Sequence, residues 1–144
     1  MRIQVNRIPP EGLRVEATYD PSAMDMSRPD AHPATPVSLT AMARKEEEEL
    51  LVEATLRCVL ECTCARCLTC VELVINKDCL LTYDVSTRLV VDITDDVREE
   101  ILLEYPMIPL CHEDCRGLCA RCGHNLNESD CAHSIGVEDE QGAE

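Results

Sequence analysis

VEATLRCVLECTCARCLTCVELVIN, running from Val52 to Asn76, alternates apolar and polar residues on both sides of a short cysteine-bearing link. In the first arm Val52, Ala54, Leu56, Cys58, Leu60 and Cys62 alternate with Glu53, Thr55, Arg57, Val59, Glu61 and Thr63. A strand turns successive side chains to opposite faces, so the first set shares one face and the mostly polar set the other. Val71, Leu73 and Ile75 resume the alternation against Glu72, Val74 and Asn76. Two such arms around a short link predict an antiparallel hairpin with Cys64-Ala65-Arg66-Cys67 at its tip.

Outward from the hairpin, residues 2–6 and 13–18 read as short strands separated by the turn-forming IPPEG stretch, and further strands are expected near 79–84 and 88–93. The stretch from about 19 to 40 carries Pro21, Pro29, Pro33 and Pro36 and reads as loop. KEEEE at 45–49 reads as solvated surface, either a helix end or the lead-in to a strand. TDDVREEILLEY from Thr94 switches to helical spacing at Val97 and Ile101, with Leu102 or Tyr105 next on that face. Thr94 is the expected N-cap, Asp95 and Asp96 suit the helix dipole, and Pro106 marks the stop. The expected class is α+β and mainly β: an antiparallel sheet or partly open barrel, one short amphipathic helix and a C-terminal zinc knuckle. Its parts are a mainly-β domain over 1–110, a knuckle over 111–133 and an acidic, disordered tail over 134–144.

Composition narrows the chemistry. The chain has 144 residues, eleven cysteines, three Tyr and no Phe or Trp, so its core is aliphatic. The start, MRIQVNRIPP, lacks a secretory apolar stretch, and no apolar run reaches the roughly 18 residues of a membrane span. The expected location is cytoplasmic, where clustered cysteines act as metal ligands or redox groups. A formal net charge of −15 disfavours contact with phosphate.

CHEDCRGLCARCG, Cys111 to Gly123, brings four thiols close in sequence at Cys111, Cys115, Cys119 and Cys122. Zinc favours four soft thiolates in a tetrahedron, and short spacings let a loop fold around the ion. These four are the expected ligands of one structural zinc, with Cys131, His112, His124 and His133 near enough in sequence to substitute. Cys64 and Cys67 repeat the C-A-R-C element. They read as a packed hairpin tip, a second metal half-site or a redox dithiol; Leu68 in place of glycine weakens the metal reading. Arg66, Arg116 and Arg121 offset thiolate charge or form a small cationic contact. A closed four-thiol site leaves no open position for catalysis, and no nucleophile triad or phosphate-cradling loop stands out, so no enzymatic activity is expected.

Together, "CARCL" at 64–68, "VREEILLEYPMIPLC" at 97–111 and "CHEDCRGLCARCGHNLN" at 111–127 resemble the YceD family of large ribosomal RNA subunit accumulation proteins. The likeness spans about residues 50–127, with "IQVNRIPPEGLRVE" at the start following more loosely. It implies a small, acidic, mostly β protein of bacterial or organellar type, without a known catalytic site, that supports large-subunit ribosomal RNA accumulation. It places the family's cysteine run on Cys111, Cys115, Cys119 and Cys122, and its hairpin motif on Cys64, Arg66, Cys67 and Leu68. Cysteine-rich relatives often carry a cysteine where this chain has His133. The implied partner is a ribosome-assembly or RNA-processing protein, with direct RNA contact disfavoured by charge and no membrane or small-molecule substrate. The alternative function is a thiol redox protein or sensor using Cys64 and Cys67.

Overall fold

The computed structural model describes residues 1–133, so the acidic tail expected over 134–144 lies outside the described residues. The quoted hairpin is its spine. Strand β5 (Glu49–Thr63) pairs antiparallel with β6 (Cys70–Asp84) along the full length, from Glu49 opposite Asp84 to Thr63 opposite Cys70. The strands expected near 71–76 and 79–84 are therefore one continuous strand. Its core-facing positions include Ile75 and Leu81, whereas Val74 and Leu80 stand exposed on the other face. Along β5, Leu50, Val52, Ala54, Leu56, Cys58, Leu60 and Cys62 are all buried, as the period of two requires.

On its other side β5 pairs with β4 (Val37–Glu46) through residues 49–57 and with β3 (Ala31–Pro33) through residues 60–62. Beyond β4 lies β2 (Leu13–Tyr19). The five strands form one antiparallel sheet that does not close into a barrel. A second, two-stranded sheet pairs β1 (Arg2–Gln4) with β7 (Val90–Asp92). The KEEEE run spans the end of β4, the two-residue turn Glu47-Glu48 and the first residue of β5, with Glu47 in the left-handed region at φ 54°.

The proline-rich stretch is more ordered than its composition implies. Pro21–Met24 forms a 3-10 turn whose first N–H groups are capped by Asp20, which accepts from Ser22 N at 3.0 Å. Pro33 ends β3, and a proline is tolerated there because, among the described residues, β3 lies at the edge of the sheet with β5 as its strand neighbour. Met24, Met26, Ala31 and Val37 from this stretch are buried in the main core.

Helix α1 (Thr94–Leu102) packs Val97 and Ile101 into that core. Ile93 is the residue at the cap position. Thr94, the expected cap, is instead held by Asp92, which accepts from its N–H at 3.0 Å and its hydroxyl at 2.6 Å. Lys77 on β6 reaches Glu100 at 2.9 Å and Glu104 at 3.0 Å. Arg98 donates to the carbonyls of Met24 and Asp25. These contacts fix where the chain leaves the helix and turns toward the hairpin tip.

Tyr105, 6% exposed, completes the anchor: its hydroxyl donates to the Met26 carbonyl at 2.7 Å, and the Arg28 guanidinium lies 5.5 Å from its ring centre. Burial pushes its hydroxyl up to about 12 from an ordinary 10.0. A group raised on folding contributes stability that is present below its unfolded value and lost as pH rises through the folded one. Stability is therefore expected to fall between pH 10 and about 12, with Tyr105→Phe flattening part of that decline and costing about 1 kcal/mol at neutral pH for the lost hydrogen bond. Denaturant titrations of both proteins across that range check it.

Candidate metal centre

The turn at each C-A-R-C element is the same piece of local chemistry. At the hairpin tip, Leu68 N donates to Cys64 O at 3.0 Å, and Leu68 takes φ 62°. In the tail, Gly123 N donates to Cys119 O at 2.9 Å, and Gly123 takes φ 75°. In each case the residue after the second cysteine closes the turn in the left-handed region, so that both thiols face one way. Glycine does this without cost, whereas leucine does so at some strain, and Leu68 is mostly solvent-exposed. The Leu-for-Gly difference does not prevent the knuckle.

The structure divides the expected quartet. Cys111 and Cys115 join Cys64 and Cys67 in one group; Cys119 and Cys122 join Cys131 and His133 in another. In each group the ligand atoms all lie within 4.8 Å of one another. The four-cysteine run does not close on itself because Gly117, at φ 77°, lies against Arg66, sending the chain past the hairpin tip between Cys115 and Cys119. A Cβ at Gly117 would stand 3.2 Å from the Arg66 carbonyl, so glycine here permits a close backbone approach.

In the first group Cys64 Sγ is 3.7 Å from Cys115 Sγ, and Cys67 Sγ is 3.6 Å from Cys111 Sγ. A disulfide requires about 2.05 Å, and no disulfide forms among the described residues. A zinc tetrahedron with bonds of about 2.3 Å has sulfur–sulfur edges of about 3.8 Å. The spacing thus suits four thiolates around one ion. Cys64, Cys67 and Cys115 are buried, with Leu110, Cys111 and Leu118 packed against them, in a cluster separate from the main core.

The surroundings hold this group in place. Ala65 N donates to the Pro109 carbonyl at 2.8 Å, and Arg66 donates to the carbonyls of Cys115 at 3.0 Å and Glu113 at 3.4 Å. Arg66 therefore braces the tip against the tail segment. Asn127 donates to Cys115 Sγ at 3.3 Å, while its side-chain oxygen accepts from Arg116 N at 2.9 Å. Donors of this kind stabilise a ligating sulfur and set its direction. Arg116 is engaged with Asp130 at 2.7 Å and with the Leu126 carbonyl.

Thiol acidity follows the same arrangement. Burial raises Cys64, but the N–H groups of Cys67, Cys111 and Arg66 outweigh it and bring the thiol down to about 6. Cys67 is lowered by Thr69, whose hydroxyl lies 3.1 Å from its sulfur. Burial and then the neighbouring Cys115, Cys67 and Cys64 push Cys111 up to about 12. Four adjoining thiols do not all ionise unless a cation sits among them. The N–H groups of Cys122 and Arg121 draw Cys119 down to about 7, while Cys122 is raised.

Of the other sequence candidates, His112 lies beside Cys111, with Nδ1 3.0 Å from that sulfur. His124 braces the loop by contacting Ser129 O and Oγ at 3.0 and 2.8 Å and joins neither group. The repeat of C-A-R-C was the one sequence signal that Cys64 and Cys67 belong to a group able to hold a metal.

Comparison with known proteins finds a family that the tail is similar to. Residues 83–143 match the model of the family described as large ribosomal RNA subunit accumulation protein YceD. The matched segment holds Cys111, Cys115 and the whole second group; Cys64 and Cys67 precede it. The chain is also similar to an uncharacterized protein of Mycobacterium leprae (strain TN), 32% identical over 109 residues, covering 63% of this chain and 49% of that protein. The chain thus spans about half the length of the curated relative it matches. No solved structure matches.

Proposed function

From a chain whose residues 83–143 match the YceD family, we propose a zinc-binding, non-catalytic factor that supports accumulation of large-subunit ribosomal RNA. The observation that carries the metal part is the Cys64, Cys67, Cys111 and Cys115 group, with sulfur–sulfur spacings of 3.6 and 3.7 Å. When bound, the ion supplies a cross-link between the hairpin tip and the chain that leaves the helix. Four protein ligands leave no coordination position for a substrate, which supports a structural role over a catalytic one.

Action through a protein partner in ribosome assembly or RNA processing agrees with the net charge of −15, which repels a phosphate backbone. No described helix is long and apolar enough to cross a membrane, and a cytoplasmic location belongs to the same proposal. In cells of the native host depleted of this chain, the ratio of large- to small-subunit ribosomal RNA is expected to fall. It is expected to recover with the wild-type chain and not with Cys64→Ser. An unchanged ratio on depletion overturns the reading.

One observation favours a second reading, thiol redox chemistry at Cys64 and Cys67: the lowered pKa of both thiols. Against it, the two residues are 0% and 5% exposed, so an incoming disulfide has little access. Thiol labelling separates the readings. Reaction at these cysteines only after chelation supports zinc, and rapid reaction before chelation supports redox work.

A further inference from the structure

Cys119, Cys122, Cys131 and His133 stand apart from the group that carries the proposed function, yet they too converge. We propose that these four residues bind a second zinc ion, in a three-thiolate, one-imidazole site that is more exposed and exchanges more readily than the first.

The convergence needs an explanation because the chain between the two pairs has almost nothing to bury. From Gly123 to His133 the sequence is GHNLNESDCAH, in which Leu126 is the one large apolar residue, and it is only partly buried. The return is nevertheless organised by polar contacts. Leu118 bridges Asn125, Leu126 N donates to Gly117 O at 2.9 Å, and Glu128 N donates to Asn125 O at 3.1 Å. His124 contacts Ser129, and Arg116 pairs with Asp130 at 2.7 Å. Together they double the chain back until Cys131 and His133 face the knuckle of Cys119 and Cys122, with all four ligand atoms within 4.8 Å.

Exposed polar contacts of this kind contribute little individually, and Leu126, the loop's one large apolar side chain, belongs to neither hydrophobic cluster of the described residues. A metal cross-link is the element that would hold such a loop closed. Three thiolates and a neutral imidazole form a donor set that zinc accepts readily. They leave a net charge of about −1 on the ion and its ligands, against about −2 for four thiolates.

Exposure separates the two sites. Cys64, Cys67 and Cys115 are buried, whereas Cys122 and His133 are exposed and Cys119 and Cys131 lie between. A chelator reaches the second ion first. The two sites are also coupled in position, since Asn127, in the loop that closes the second group, donates to Cys115 of the first.

The proposal shares with the preceding reading the premise that this chain holds zinc, and the test distinguishes their failures. The untagged full chain, purified without chelator, is analysed for zinc and then loaded with cadmium-113 for NMR. Two ions per chain are expected, giving one four-sulfur and one three-sulfur, one-nitrogen resonance. Cys131→Ser combined with His133→Ala is expected to remove one ion and the mixed-ligand resonance while leaving the four-sulfur resonance in place. One ion per chain that persists in the double variant overturns the second site and leaves the first. One ion that the double variant loses supports the second site and overturns the first. A chain without zinc, and without cadmium resonances after loading, overturns both.

Discussion

Serine in place of Cys115 is expected to release the chain after the helix from the hairpin tip while the sheet stays folded. The cluster around the first group is mostly sulfur: Cys64, Cys67, Cys115 and Cys111, with Leu110 and Leu118 as its aliphatic members. So little apolar surface does not offset the cost of ordering about 30 residues at about 1–2 kcal/mol of backbone entropy each. A structural zinc supplies about 10–16 kcal/mol of apparent binding energy in small zinc domains, and most of it depends on the full ligand set. Hydrogen exchange followed by peptide mass spectrometry is expected to show lost protection at residues 64–69 and 107–127 in Cys115→Ser. Protection in β4 and β5 is expected to remain. Chelation of the wild type is expected to reproduce the pattern. Unchanged protection in the tail would show that Arg66, Asn127 and the backbone contacts suffice without a metal.

Leu56→Ala is expected to be among the most damaging aliphatic truncations in the sheet, costing about 2–5 kcal/mol. Leu56 is fully buried on β5, with Leu39 opposite on β4 and Lys77 opposite on β6. Truncation there leaves a cavity between paired strands on both sides, which the surrounding sheet fills only in part. A loss of that size is a large part of the roughly 5–15 kcal/mol that stabilises an ordinary domain. Leu80→Ala is the control: Leu80 is 59% exposed on the opposite face of β6, and its truncation is expected to stay within about 0.5 kcal/mol. Urea midpoints of the two variants give the comparison. Equal losses would contradict the assignment of faces.

Much of the fold was legible because its decisive pattern is local. Every core position assigned to β5 from Val52 to Cys62 is buried, since alternation fixes the face once the strand exists. The helix core residues Val97 and Ile101 followed from spacing in the same way. The stretch from 19 to 40 was harder to read. Proline counts signal turns locally, but Ala31–Pro33 becomes a strand by pairing with residues 60–62 of β5, about 30 positions away. Thr94 illustrates a smaller miss: Asp92 takes the role of satisfying the helix start, and either residue type is chemically suited to it.

Residue chemistry alone determined that this chain has an aliphatic core, a long central hairpin and thiols suited to metal in its tail. Which thiols stand close enough to share an ion was decided by the tertiary structure. Spacing measures how near two cysteines lie along the chain, and a tetrahedral ion selects those that are near in space. The β5–β6 hairpin carries Cys64 and Cys67 to its tip, and the route from Tyr105 past Pro109 brings Cys111 and Cys115 against them. That pairing rests on a register of fifteen opposed residues and a glycine pressed against Arg66, neither of which any short motif encodes.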